Sequence, residues 1–185
     1  MAMQSTMLAL GTAAPPFRLQ DTASGKTVVL EDFAASRALL VAFICNHCPY
    51  VKHILDGFVA FAGEYSPRGL AVVAISSNDI TTHPADSPNE MAKLARAKNF
   101  GFPYLYDESQ SVARAYDAVC TPDFFLFDGN RRLVYRGQFD GSRPGGRQPV
   151  TGADMRAAAD AVLGGTPVLE TQIPSVGCGI KWKAA

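Results

Sequence analysis

The sequence predicts an α/β fold: a mixed central sheet with helices on both faces and an added N-terminal β-hairpin. Three observations carry this. Residues 38–44 and 70–75 are uninterrupted apolar runs, the pattern of strands buried on both faces of a parallel sheet. Helical patterns follow these runs, and strand–helix–strand units need crossovers that leave their strands parallel. Near residue 129 two apolar runs flank Asp128-Gly129-Asn130, a hairpin signal that adds antiparallel pairing.

In chain order, residues 1–14 carry little signal. Residues 15–21 read as extended, 22–26 as a turn and 27–30 as the returning strand of a hairpin. Residues 31–36 read as a short helical turn before the central strand. From Pro49 to about Glu64, Val51, Ile54, Leu55, Phe58, Phe61, Ala62 and Tyr65 recur at three- and four-residue steps, so one helix face is apolar. After the strand at 70–75 comes a polar loop, 76–86. Ser87, Pro88 and Glu90 then supply an N-cap, a first-turn proline and a capping-box acid for a helix ending near Asn99. A short strand (102–106), a short helix (108–116) and the hairpin (123–136) follow. Residues 140–148 read as a flexible loop, and Thr151 and Asp154 as caps of a last helix that Gly164-Gly165 stops. The expected organisation is a single domain over 1–185, with 1–14 and 166–185 as terminal extensions.

Of the 185 residues, 48% are hydrophobic and 18% charged, enough apolar material for a full core. The 17 basic and 17 acidic residues cancel without forming a basic run, which argues against a nucleic-acid or anionic-membrane partner. No stretch approaches the roughly 20 apolar residues of a membrane span. The first residues lack the basic region of a secretory signal, and 7–14 are too short for its core. A cytoplasmic protein is the expectation.

The chemistry concentrates in Cys45-Asn46-His47-Cys48-Pro49. Two cysteines separated by two residues can close a small disulfide ring. Pro49 suits the first helical position, which puts Cys48 at a helix N-terminus, where free N–H groups and the helix dipole favour a thiolate. Strand, C-x-x-C, helix is the arrangement of a thiol redox site. Two other readings stand beside it: a pair of packed small side chains, or part of a zinc site drawing on His47, His53 and His83. His47 can stabilise a thiolate or pass a proton. Asn46 reads as a turn former, His53 as a surface residue, and Arg143 as part of a solvated loop.

Joined to the opening Leu10-Gly11-Thr12-Ala13-Ala14-Pro15-Pro16-Phe17, the C-N-H-C-P-Y segment 45–50 and Cys120-Thr121-Pro122-Asp123-Phe124-Phe125, this motif resembles the thioredoxin-like superfamily. Within it, the likeness is to the redoxin branch of alkyl hydroperoxide reductases and thiol-specific antioxidant proteins. Residues 133–137 and Gly177-Cys178-Gly179-Ile180-Lys181-Trp182-Lys183 resemble a bacterial subgroup of that branch. The resemblance implies a thioredoxin-like fold, a cis peptide bond before Pro122, and presentation of the substrate by Pro122 and the Thr121 backbone. It leaves the nucleophile open. An ungapped match of 41–44 places Cys48 at the nucleophile position and Ala42 where a buried acid assists exchange. In the other register Cys45 attacks and Cys48 resolves. True peroxiredoxins carry Thr or Ser three residues before the peroxidatic cysteine, where this chain has Cys45.

The function expected from this is thiol–disulfide exchange by a Cys45/Cys48 dithiol, on a protein or small-molecule disulfide or a peroxide. A thiol protein would return the electrons, and no organic cofactor or metal is implied. The alternatives are a thiol peroxidase with Cys48 as peroxidatic residue, and a redox-sensing or zinc-binding interaction module. Cys120, two residues before Pro122, is a third redox thiol or a packed side chain. Cys178, between glycines in the tail, is a resolving thiol or a passive surface residue.

Overall fold

The structure, a computed structural model, describes residues 2–184. Its elements are β1 (Ala2–Gln4), the hairpin β2 (Arg18–Asp21) and β3 (Thr27–Val29), β4 (Ala38–Phe43), α1 (Pro49–Tyr65), β5 (Leu70–Ser76), α2 (Pro88–Ala97) and β6 (Tyr104–Tyr106). There follow α3 (Ser111–Ala115), β7 (Cys120–Thr121), β8 (Asp123–Phe127), β9 (Leu133–Arg136), α4 (Ala153–Gly164) and β10 (Val176–Gly179).

The main sheet has the order β3-β2-β6-β5-β4-β8-β9. Strands β4, β5 and β6 are parallel. The two hairpins extend the sheet antiparallel at either end. Alternation along β4 shows why its run is apolar throughout. Leu40 and Ala42 face the layer containing α1, α2 and α4, while Leu39, Val41 and Phe43 face α3 and the N-terminal segment.

Helix α1 begins at Pro49 because Cys48 is still extended (φ −65°, ψ 124°) and a proline needs no N–H at the first position. It buries Val51, Ile54, Leu55, Phe58, Phe61, Ala62 and Tyr65, the face the spacing predicts. Full burial of a side chain such as Phe58 contributes roughly 1.5–3 kcal/mol. The helix runs into a 3₁₀ turn, Ser66–Arg68, closed by Gly69 at φ 101°.

Three local expectations are corrected. Ser87 precedes α2 but makes no side-chain cap, and Glu90 pairs instead with Lys93 at 2.6 Å. Helix α4 is entered through Gly152 in the left-handed region; the Thr151 hydroxyl accepts the Ala153 N–H at 3.3 Å, and Asp154 makes no cap. The buried Asp140 carboxylate accepts the Thr151 and Gly152 N–H groups at 2.7 and 2.6 Å, and Asp154 accepts from Gln138. Asp140 also accepts the Ser142 N–H and hydroxyl, so the loop read as flexible is tied to a buried charge.

The largest difference lies at the chain's two ends. Residues 2–4 and 176–179, read as featureless, form a second sheet of order β1-β10-β7. Their composition hides this because both strands are short and β10 is half glycine. Gly177 is required by a close approach: a Cβ there would lie 1.9 Å from the Thr121 carbonyl oxygen. Gly179 similarly admits Met3 Sδ at 2.6 Å from the site of a Cβ. Ser5 and Ser175 hold the sheet through Ser5 N–H to Ser175 O at 3.0 Å and Ser175 N–H to Ser5 Oγ at 3.1 Å.

One buried acid has no counterpart in the sequence reading. Asp123, opposite Phe43 in the sheet, is fully buried, and neither carboxylate oxygen has a well-formed hydrogen bond among the described residues. Burial pushes its carboxyl up to about 8, against a partial pull from the Val119 and Phe124 N–H groups.

Two predictions concern stability. Gly177→Ala must displace β10 from the Thr121 carbonyl and is expected to cost about 1–3 kcal/mol in urea denaturation. Gly164→Ala, where a Cβ meets nothing within 4 Å, should be neutral or stabilising. Because the folded-state value for Asp123 lies above the unfolded one, its neutral form favours the fold most below about pH 4. That contribution is lost as pH rises toward 8, at up to about 1.4 kcal/mol per unit. Wild-type stability should therefore fall relative to Asp123→Asn between pH 4 and 8, and a constant difference would count against the buried neutral acid.

Candidate active site

Where β4 ends, the chain turns through Cys45, Asn46 and His47 before Cys48 opens α1. The turn is held by a residue far along the sequence, Asp86, which ends the 3₁₀ turn Pro84–Asp86 just ahead of α2. Its Oδ1 accepts the Asn46 and His47 N–H groups at 2.7 and 3.1 Å. Its Oδ2 accepts from Asn78 Nδ2 at 2.8 Å and lies 2.5 Å from His47 Nδ1. Four polar contacts allow this carboxylate to be fully buried. Tyr104 donates its hydroxyl to Asn46 Oδ1 at 3.1 Å, and the His83 ring lies 4.7 Å from that of His47.

The thiols differ sharply. Cys48 is pulled well below the ordinary thiol range, first by a hydrogen bond from Cys45 and then by the side chain of Cys178 and the N–H groups of Val51 and Cys178. The Val51 N–H is one of the free donors of the first helical turn. Cys45 is pushed up, first by its bond to Cys48, then by burial and by the Asp86 charge. Its Sγ lies 3.2 Å from Thr121 Oγ1 and 3.7 Å from His47 Nδ1. The surroundings of the turn therefore favour ionisation at Cys48 and oppose it at Cys45. When protonated, Cys48 Sγ donates to the Thr121 carbonyl at 3.2 Å.

The structure gathers Cys45, His47, Cys48, Thr121 and Pro122 in one place, and the Thr121–Pro122 peptide is cis as the resemblance implies. Cys120 is fully buried, its Sγ 3.7 Å from the Pro122 carbonyl, and burial raises its thiol. Cys178 is not in a loose tail; it lies on β10 opposite Thr121 and packs against the core cluster containing Cys48. His53 contacts Ser142 Oγ at 3.0 Å. Arg143 is turned inward to the Asp140 and Ser142 carbonyls and Gln138 Oε1.

Asn46, read as a turn former, is also a hydrogen-bonding member of the site. Asp86, Asn78 and Tyr104 were not anticipated, because nothing in the polar loop 76–86 or the strand after it spaces them against the cysteines. Cys45, His47 and Asp86 do bring ligand atoms within 4.8 Å of one another, but the Asp86 oxygens are already engaged by the turn, Asn78 and His47. This trio reads as a hydrogen-bond network.

The AhpC/TSA family pattern matches residues 10–136, and the chain belongs to that family, with a thioredoxin-like fold. A mitochondrial peroxiredoxin of Saccharomyces cerevisiae is 26% identical over 128 residues, 69% of this chain and 48% of that protein. The chain thus spans about half the length of this relative. A Mycobacterium tuberculosis protein bearing a peroxiredoxin name is 30% identical over 115 residues, 62% of this chain and 68% of that one. An uncharacterized conserved protein from Geobacillus kaustophilus superposes with a TM-score of 0.98 at 52% identity, covering 100% of this chain and 98% of that one.

These findings overturn the reading of Cys45 and Cys48 as an exchanging dithiol. The curated relatives are peroxiredoxins by name, and both cysteines are free. Cys45 is buried beside the Asp86 carboxylate, whose charge opposes its ionisation and so its use as a second nucleophile.

The electrostatics are testable by alkylation. Cys48 should react with iodoacetamide at a rate that stays on its plateau down to about pH 6, where an ordinary thiol loses more than about 100-fold. Cys45→Ala removes a donor to a charged group, worth about 1.5–3 kcal/mol. It should raise the Cys48 midpoint by about one to two units, whereas Cys45→Ser should largely keep it low. An unchanged midpoint in Cys45→Ala would show that the helix terminus alone sets the thiolate.

Proposed function

We propose that this protein is a thiol peroxidase in which Cys48 is the peroxidatic residue. The observation that carries the reading is the place of Cys48, buried at the N-terminus of α1 beside the cis Thr121–Pro122 peptide, in an AhpC/TSA chain. The Cys48 thiolate attacks one oxygen of a hydroperoxide and the O–O bond breaks. The products are Cys48 sulfenic acid and an alkoxide or hydroxide, which takes up a proton to leave as alcohol or water. His47, braced by Asp86, is placed to supply that proton. Cys45 stands where peroxiredoxins carry Thr or Ser and donates to the reacting centre. Thr121 and Pro122 form the wall against which the peroxide is presented. A thiol reductant returns the enzyme to its starting state.

We propose further that the C-N-H-C-P-Y segment and the Gly177–Lys183 stretch mark a distinct branch within the family. The 52% identity across the whole chain to the Geobacillus kaustophilus protein, against 26–30% to the curated peroxiredoxins, supports this. A single domain over 1–185 fits the same whole-length likeness. No helix among the described residues is long and apolar enough to cross a membrane, and a cytoplasmic setting, where thiol reductants are abundant, is part of the proposal.

Hydrogen peroxide consumption with dithiothreitol as reductant tests the main reading. The wild type should turn over, and Cys48→Ser should fall to the uncatalysed background. Equal consumption by Cys48→Ser and wild type would sink the assignment.

A further inference from the structure

Cys178 is the cysteine that neither the family pattern, which ends at residue 136, nor the peroxidatic step uses. Yet the fold holds it beside the reacting sulfur. It lies on β10 opposite Thr121, the residue whose carbonyl accepts from Cys48 Sγ at 3.2 Å. Cys178 packs against the core cluster that contains Cys48. The strand cannot drift away from this position without opening the gap that Gly177 closes, where the Thr121 carbonyl occupies the place of a Cβ. We infer that Cys178 is the resolving thiol of this protein, condensing with oxidised Cys48 to form an intramolecular Cys48–Cys178 disulfide.

The inference rests on the peroxidase reading and adds its second half-reaction. Cys178 sulfur attacks the sulfur of Cys48 sulfenic acid, the S–O bond breaks, and the thiol proton leaves with the hydroxyl as water. Two equivalents of an external thiol, or one dithiol, then reduce the disulfide and are themselves oxidised to a disulfide.

The choice of Cys178 over the other thiols follows from what oxidation changes. Burial lifts Cys178 to about 11, helped by its contact with the charged Cys48 sulfur and opposed by Lys181. Conversion of Cys48 to a neutral sulfenic acid removes the contribution of that charge and leaves the pull of Lys181. Cys45 is also released from its contact with Cys48, but burial and the adjoining Asp86 charge still oppose its ionisation. Cys120 is enclosed, and burial is the first cause of its raised thiol. Cys178 is also the one cysteine of the four that is partly exposed, so a reductant can reach a disulfide formed there.

The test is peptide mapping of the intact protein after one equivalent of hydrogen peroxide and thiol blocking, with dimedone added in parallel to trap sulfenic acid. The wild type should yield a Cys48–Cys178 linked peptide and little dimedone adduct. Cys178→Ser, checked for folding by its melting curve, should still oxidise at Cys48 but accumulate the adduct. Its steady-state turnover with a dithiol should drop at least about tenfold, or about 1.4 kcal/mol. Because the mapping of the wild type needs no variant, a misfolded Cys178→Ser would not remove the test. Oxidised Cys48 without a bond to Cys178, or bonded to Cys45 or Cys120, would overturn the resolving role and leave the peroxidase reading standing. Cys48 left unoxidised would overturn both.

Discussion

The Thr121–Pro122 peptide is the point on which the site depends. Thr121 offers its carbonyl to Cys48 and its hydroxyl to Cys45, and its backbone pairs with Cys178 in a separate sheet. Pro122 follows in cis and leads directly into β8, which lies beside β4 in the main sheet. One short stretch of backbone therefore fixes where three sulfurs stand relative to one another. It can do so because β4 and β8 are buried along their whole length and give it no freedom to slide.

Charge is arranged around that peptide with equal economy. Asp86 gathers the N–H groups of the turn and the ring of His47, and in doing so puts a negative charge on the Cys45 side. The first turn of α1 puts free N–H groups on the Cys48 side. Of two chemically identical thiols three residues apart, the surroundings oppose ionisation in one and favour it in the other. The difference lies in their surroundings, since the side chains are the same.

Much of this was legible from the residues, and the parts that were not share a cause. Strand β4, helix α1 with its apolar face, the central β5 and the closing hairpin all announce themselves by periodicity or turn chemistry, because local pattern and tertiary environment agree there. Cys48 at a helix N-terminus follows from Pro49 alone. Asp86 and Tyr104 were invisible because their partnership with the C-x-x-C turn spans 40 and 58 positions, with no periodicity to mark it. Strands β1 and β10 were missed because three or four residues, half of them glycine in β10, carry almost no propensity, and only pairing makes them strands. The dithiol reading failed for a related reason: spacing says that two cysteines can meet, but only burial and neighbouring charge decide which of them ionises.

The second sheet also bears on the order in which the molecule assembles. Two of its strands, β1 and β10, come from opposite ends of the chain, with Ser5 and Ser175 bonded across 170 positions. The βαβ core closes over far shorter distances. Loops that long are entropically slow to close, so the small sheet should be the last piece to dock. Until it does, the turn around Cys48 lacks the strand that lies against it. Chemical competence is then a late property of folding, acquired only when the two ends of the chain have found each other.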